Sequence, residues 1–335
     1  MSNSCEFEHV HHAHCESGVI SSMLRHHGLN LSEPMIFGVS NALNFAYIPF
    51  VKLGGMPLVA YRSIPKSIVK NIKKNLGIDI KLETFSSKKK GEDRLDELLA
   101  KGEIVGAQSS MYWLSYIPND MRFHFNAHNL LIYGKEDNEY LISDPVFQMS
   151  VRCDKESLSK ARFTKGVMAP KGLLYYPVSV PSEIDLKPVI AKNIKKLSKN
   201  MLRKYVPVVG LQGVKYLASA IAKLEKKERK YAKLFLGNIV RMQEEIGTGG
   251  AGFRFMYASF LQEASELFDN DEVLAEASKM MLQVGDEWRE FALMIAKSIK
   301  SKKDIDYKAI SEKLIEISDN EAKVYEKLLR FKGYM

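Results

Sequence analysis

Apolar positions in the first half of the chain switch between two periods. Cys15 is followed by Val19, Ile20, Met23 and Leu24, then by His27-Gly28. That spacing predicts a helix with Cys15 in its first turn and Gly28 as its stop. A second amphipathic helix is predicted from Lys66 to Leu76, ending at Gly77, and a short one from Arg94 to Ala100. Ile104 to Gln108 reads as a strand. Asn129–Tyr133 and Tyr140–Ser143 flank the polar turn Lys135-Glu136-Asp137-Asn138 and predict a hairpin. Beyond Pro177, Pro181 and Pro188 the pattern becomes helical almost throughout, with helices expected near 187–205, 213–245, 252–268, 272–299 and 307–331. The expected organisation is an α+β domain over 1–180 and an all-helical domain over 183–335. No internal repeat or low-complexity tract interrupts it.

Composition adds limits. A length of 335 residues favours two domains over one core. Hydrophobic residues make up 46% and charged residues 27%, ordinary values for a globular protein. No apolar stretch approaches the roughly 18–20 residues that span a bilayer. The start, MSNSCEFEHVHHAHC, has no basic segment leading into an apolar core, so no secretory signal is read there. Cys5, Cys15 and Cys153 form no regular framework, which fits a reducing cytoplasm with free thiols. The formal net charge of +9 is concentrated at 187–233, where the only acids are Glu225 and Glu228. Such a stretch is either a solvated helical face or a docking surface for an acidic partner. No RNA-binding, zinc-finger or basic-leucine pattern supports nucleic acid as that partner.

The candidate chemistry centres on Cys15. A cysteine at a helix N-terminus meets the positive end of the helix dipole, which favours the thiolate. Free N–H groups there can also receive the oxyanion formed when sulfur attacks a carbonyl. A thiolate needs a basic partner, and that partner needs an orienting group. His128, opening one predicted strand, and Asp144, closing the next, supply both. A turn centred on Glu136 sets residue 128 opposite residue 144 on one face, whereas a one-residue slip sends them to opposite faces. The chain order Cys, His, Asp is that of papain-like enzymes. The Cys15 backbone N–H and Gln108, at the end of a strand near the site, are the expected oxyanion donors.

Two rival sites carry less weight. His9, His11, His12, His14 and Cys15 crowd one segment, yet no second ligand cluster with zinc spacing follows, so no metal is expected. His14 is then read as shaping the nucleophile's surroundings. The run Gly247-Thr248-Gly249-Gly250-Ala251-Gly252 before Phe253-Arg254 can cradle phosphate through backbone N–H groups, with Arg254 meeting a phosphate or carboxylate. It lacks a P-loop lysine and a preceding strand, and an interhelical turn explains it equally well.

Several blocks resemble the butirosin-biosynthesis protein H-like acyltransferase family. They are His14-Cys15-Glu16-Ser17-Gly18, Leu31–Gly38, Asn44-Phe45-Ala46-Tyr47, Tyr112-Trp113-Leu114-Ser115-Tyr116, Ala127-His128-Asn129 and Ile142-Ser143-Asp144-Pro145. Residues 246–254 resemble the helical domain that often follows. The resemblance implies a papain-like cysteine fold moving an acyl group from an acyl carrier protein to an amine, with Cys15, His128 and Asp144 as the catalytic set. It adds Tyr112 as a candidate substrate contact and no resident cofactor, the acyl donor riding on the partner's phosphopantetheine. One departure stands out. An acidic residue often precedes the family's Tyr-Tyr-Leu-Pro-Tyr-like block, and here Ser109 and Ser110 stand there while Ser115 replaces the proline. A neutral or lipid-like acceptor is therefore expected. A cysteine hydrolase on the same triad and a non-catalytic binding protein are the alternatives.

Overall fold

A computed structural model describes residues 3–333. The first half runs β1 (Asn3–Ser4), α1 (Cys15–His26), α2 (Glu33–Val39), β2 (Leu43–Leu53), β3 (Met56–Arg62), α3 (Ser67–Leu76), β4 (Asp79–Glu83), α4 (Lys88–Ala100) and β5 (Val105–Ser109). It continues with β6 (His128–Glu136), β7 (Glu139–Ser143), β8 (Val151–Asp154), α5 (Lys155–Phe163) and β9 (Leu174–Ser179). The second half holds α6 (Lys187–Met201), α7 (Gly210–Ala222), α8 (Arg229–Glu244), α9 (Arg254–Leu267), α10 (Glu272–Lys300) and α11 (Tyr307–Leu328).

The chain forms two compact units. One comprises residues up to 36 together with 65–184, and the other residues 37–64 together with 185 onward. The division differs in one respect from a cut between 180 and 183. The hairpin of β2 and β3 belongs with the helices, not with the α+β unit. Its sequence hides it: β2 reads LNFAYIPFVKL, a nearly continuous apolar run carrying Pro49 and broken by register shifts, so no clean alternation announces a strand.

In the α+β unit the sheet is antiparallel, in the order β4-β9-β5-β6-β7-β8, with β1 added beside β6. Alternation along the strands gives it two apolar faces. Val105 and Ala107, Leu130 and Ile132, and Leu174 and Tyr176 share a core with Leu95, Leu98 and Leu99 of α4 and Leu158 and Ala161 of α5. Against the same sheet packs α1, whose Val19, Ile20, Met23 and Leu24 are fully buried. Each such side chain contributes about 1.5–3 kcal/mol on burial. The helix that carries Cys15 is thus held along its length.

The β6–β7 hairpin contains the detail that matters most. Near the turn Glu136 faces Glu139 and Gly134 faces Leu141; nearer the site Ile132 faces Ile142 and Leu131 faces Ser143. One extra residue, Tyr133, lies between the two registers as a β-bulge. Extending the inner register sets Asp144 beside Leu130, two residues along from His128 and on the same face. This differs from direct opposition about Glu136, but the difference is two residues and preserves the face. Without the bulge the shift would be odd, and Asp144 would point away.

In the second unit the stretch 213–245 is two helices, not one. The chain turns over 223–228, and Glu228 caps α8 in an extended conformation (φ −54°, ψ 133°). The charged run Lys226-Lys227-Glu228-Arg229-Lys230 offers no apolar position to carry a continuous helix across the turn. The glycine run is an interhelical turn: the Ala251 N–H donates to the Glu244 carboxylate at 3.1 and 3.2 Å, leaving no open phosphate cradle there. Arg254 corrects the expectation of a substrate contact. It is fully buried, donates to both oxygens of Glu321 at 3.0 and 3.2 Å and to the Gly252 carbonyl at 2.7 Å, and lies over Trp288. The Trp288 indole (3.0 Å) and the Tyr325 hydroxyl (2.6 Å) also donate to Glu321. This pair is structural. Glu321→Ala would leave the guanidinium buried and unmatched, and is expected to destabilise this unit by about 3–5 kcal/mol. Urea unfolding of the variant measures it, and an unchanged midpoint refutes the assignment.

Candidate active site

Cys15 is the first residue of α1 and only 6% exposed. As the first helical residue it has a backbone N–H with no intrahelical acceptor. One buried carboxylate holds the preceding turn, and a second ties α1 to its neighbour α3. Glu33 accepts from the Ala13 N–H (2.8 Å), the His14 N–H (2.9 Å) and the Ser17 hydroxyl (2.9 Å). Glu16 accepts from the N–H groups of Lys66, Ile68 and Val69 at 3.2, 3.0 and 3.4 Å, capping α3, which has no side-chain cap of its own. His14 is the N-cap of α1, with an extended backbone and its Nδ1 accepting from the Ser17 N–H at 3.3 Å. It shapes the helix start that presents the sulfur.

His128 begins β6 and is 2% exposed. Its Nε2 lies 2.7 Å from Asp144 Oδ2. The same oxygen accepts from the Tyr116 hydroxyl at 2.7 Å, and Oδ1 accepts from the Val146 N–H at 3.3 Å. Burial alone would pull the His128 pKa down. The charge and hydrogen bond of Asp144, joined by a hydrogen bond to Cys15, outweigh it and push the pKa up to about 10. Burial and the Asp144 charge raise Tyr116 well above the usual phenol range, so it remains a donor. An imidazole held protonated beside a thiol is the arrangement that favours a nucleophilic thiolate. Gly18 lets the two halves approach: a Cβ there would meet the Cβ of His12 at 2.7 Å and of Pro145 at 2.8 Å. The residue after Asp144 thus rests against the first turn of α1.

Four other placements complete the site. Asn129 turns its Nδ2 to within 3.9 Å of Cys15 Sγ, while its Oδ1 accepts from the Tyr175 hydroxyl at 3.0 Å. Neither residue was read from the sequence. The only signal for Asn129 was its place in the Ala127-His128-Asn129 block, and Tyr175 had none. Gln108 is not the expected oxyanion donor. Its Nε2 is committed to the carbonyls of Asn126 (2.7 Å) and Met168 (3.0 Å), so what remains without a partner is an acceptor, Oε1. Tyr112 is 37% exposed, stacked on His124 with centroids 4.0 Å apart, and makes no hydrogen bond to Cys15, His128 or Asp144 among the described residues. The histidines upstream are used locally: His9 bridges Ser143 (2.7 Å) and the Phe147 carbonyl (2.9 Å), and His12 meets Ser22 (3.0 Å).

A helix headed by cysteine, packed on an antiparallel sheet that supplies histidine and aspartate, is the plan of a papain-like cysteine enzyme. Comparison with known proteins agrees with the motifs. Residues 156–328, just over half of the chain, match the family described as Domain of unknown function (DUF4872). The chain belongs to that family. Ahead of this DUF4872 domain, residues 14–145 match the family described as Butirosin biosynthesis protein H, N-terminal, and this stretch holds Cys15, His128 and Asp144. No curated protein matches the chain. Among solved structures, a protein from Bacillus anthracis described as a C39-like peptidase aligns at 13% identity and a TM-score of 0.38, covering 54% of this chain and 98% of its own. Among the described residues, no helix is long and apolar enough to cross a membrane.

A pH dependence follows from His128. Its pKa is higher folded than the ordinary 6.5, so the pair stabilises the fold fully below about 6.5 and loses that contribution as pH rises through about 10. Wild type is expected to lose stability across this window, and Asp144→Asn to show a flatter profile in the same denaturant titrations between pH 6.5 and 10.5. Parallel profiles would refute the pairing.

Proposed function

We propose that the protein is a cysteine-dependent acyltransferase. It takes an acyl group from the thioester of an acyl carrier protein, holds it on Cys15, and passes it to an amine or hydroxyl. The observation that carries this reading is the Cys15 sulfur beside the buried His128–Asp144 pair.

The steps follow from those groups. The Cys15 thiolate attacks the thioester carbonyl and forms a tetrahedral oxyanion. Its collapse breaks the bond to the carrier sulfur, which leaves as a thiol with the His128 proton. The acyl-Cys15 thioester keeps the acyl group activated. The acceptor then attacks the same carbonyl, neutral His128 takes the acceptor's proton, and the Cys15 thiolate is released. Asp144 orients the ring and stabilises its cation throughout.

Burial favours transfer over hydrolysis, because a nucleophile this enclosed meets little bulk water until a substrate opens a path to it. Lys195, Lys199, Lys204, Lys226 and Lys230 are exposed and make no ion pair among the described residues, as suits docking of an acidic carrier. The printed name of the N-terminal family points to secondary-metabolite biosynthesis. Ser109 and Ser110 stand where the family often carries an acid, which suits an uncharged or lipid-like acceptor. Three free cysteines fit a cytoplasmic setting.

Intact-protein mass spectrometry after exposure to acyl carrier thioesters tests this. Wild type should gain the acyl mass, Cys15→Ala should not, and amines should discharge the adduct faster than water. Discharge to water at the same rate with and without amines would overturn the transferase reading in favour of a hydrolase.

A further inference from the structure

We infer that the Asn129 carboxamide is the second donor of the oxyanion hole, beside the backbone N–H of Cys15. This rests on Cys15 being the nucleophile.

Three contacts fix the orientation of that amide. Nδ2 lies 3.1 Å from the Ala127 carbonyl, which only an N–H can face, so the amide cannot be flipped. Oδ1 takes the Tyr175 hydroxyl, and the second Nδ2 hydrogen is left for the sulfur side at 3.9 Å. That distance is long for holding a thiol. In the tetrahedral adduct, however, the oxyanion sits on the carbon bonded to sulfur, one bond further out, and donors serve it from about 2.7–3.1 Å. The amide waits where charge will develop, not where it already is.

The surroundings keep it there. Asn129 is 4% exposed and Tyr175 is fully buried. Burial raises the Tyr175 hydroxyl well above the usual phenol range, so it remains a donor to Oδ1. Gly106 faces Tyr175 across the ladder, and a Cβ there would meet the ring at 2.2 Å. The missing side chain is what lets the ring lie across the sheet toward Asn129. Tyr175 is a positioning residue, and Asn129 would touch the reacting atoms.

Two rates separate this role from a structural one. Acylation by the acetyl thioester of N-acetylcysteamine builds an oxyanion, whereas alkylation by iodoacetamide does not. Asn129→Ala is expected to slow acylation by about 10²–10³-fold while changing alkylation of Cys15 by no more than a few-fold. Asn129→Leu, similar in size but without a donor, should behave the same, which excludes a cavity effect. Tyr175→Phe should give a smaller loss confined to acylation. Parallel loss of both rates, or unchanged acylation, overturns the assignment and leaves the nucleophile in place. A wild type that alkylates at Cys15 but never acylates overturns both this inference and the function proposed above.

Discussion

A protonated imidazole in an interior closed to water is stable only if a carboxylate shares that interior. His128 and Asp144 meet that condition, and much of the local architecture exists to satisfy the carboxylate in turn. Tyr116 and the Val146 N–H take the acceptor capacity that His128 leaves. The bulge at Tyr133 turns Asp144 to the right face, and Gly18 lets Pro145 close on α1. On the other side, Glu33 accepts from the turn before Cys15 and Glu16 fastens α1 to the start of α3. The nucleophile and its base are therefore held by different carboxylates and joined where the segment around Pro145 meets the start of α1.

Much of this was legible in the residues. The helix from Cys15 to Gly28 follows from its apolar spacing and its stop, and the β6–β7 hairpin from two strand patterns around a polar turn. The chain order of Cys15, His128 and Asp144 pointed to their chemistry. Their shared face was not legible, because a bulge changes register without changing composition. Gln108 shows a second limit. Its place on β5, opposite Asn129, was close to the site, but its amide hydrogens were claimed by carbonyls of loops at 126 and 168 whose path no periodicity encodes. Asn129 failed in the opposite direction. Nothing in its alternation singled it out, because its approach to the Cys15 sulfur at 3.9 Å is a contact between β6 and α1 that no periodicity encodes.

Arg254 illustrates how charge misleads when read alone. An arginine after a glycine run invites an anionic ligand, but here a glutamate 67 residues further along the chain supplies the counter-charge. The β2–β3 hairpin was missed for a related reason. Its Phe45 and Tyr61 pack on Trp288, so its apolar pattern answers to helices distant in sequence more than to its own pleat.

The bulge at Tyr133 also constrains how this hairpin can drift. Because side chains alternate with a period of two, the geometry depends on the parity of the chain between His128 and Asp144. Single insertions or deletions in either arm would reverse it, whereas paired ones would leave it intact. Evolution and protein engineers alike can lengthen this connection only by even steps, or by adding a compensating bulge. The loop can vary in content far more freely than in count.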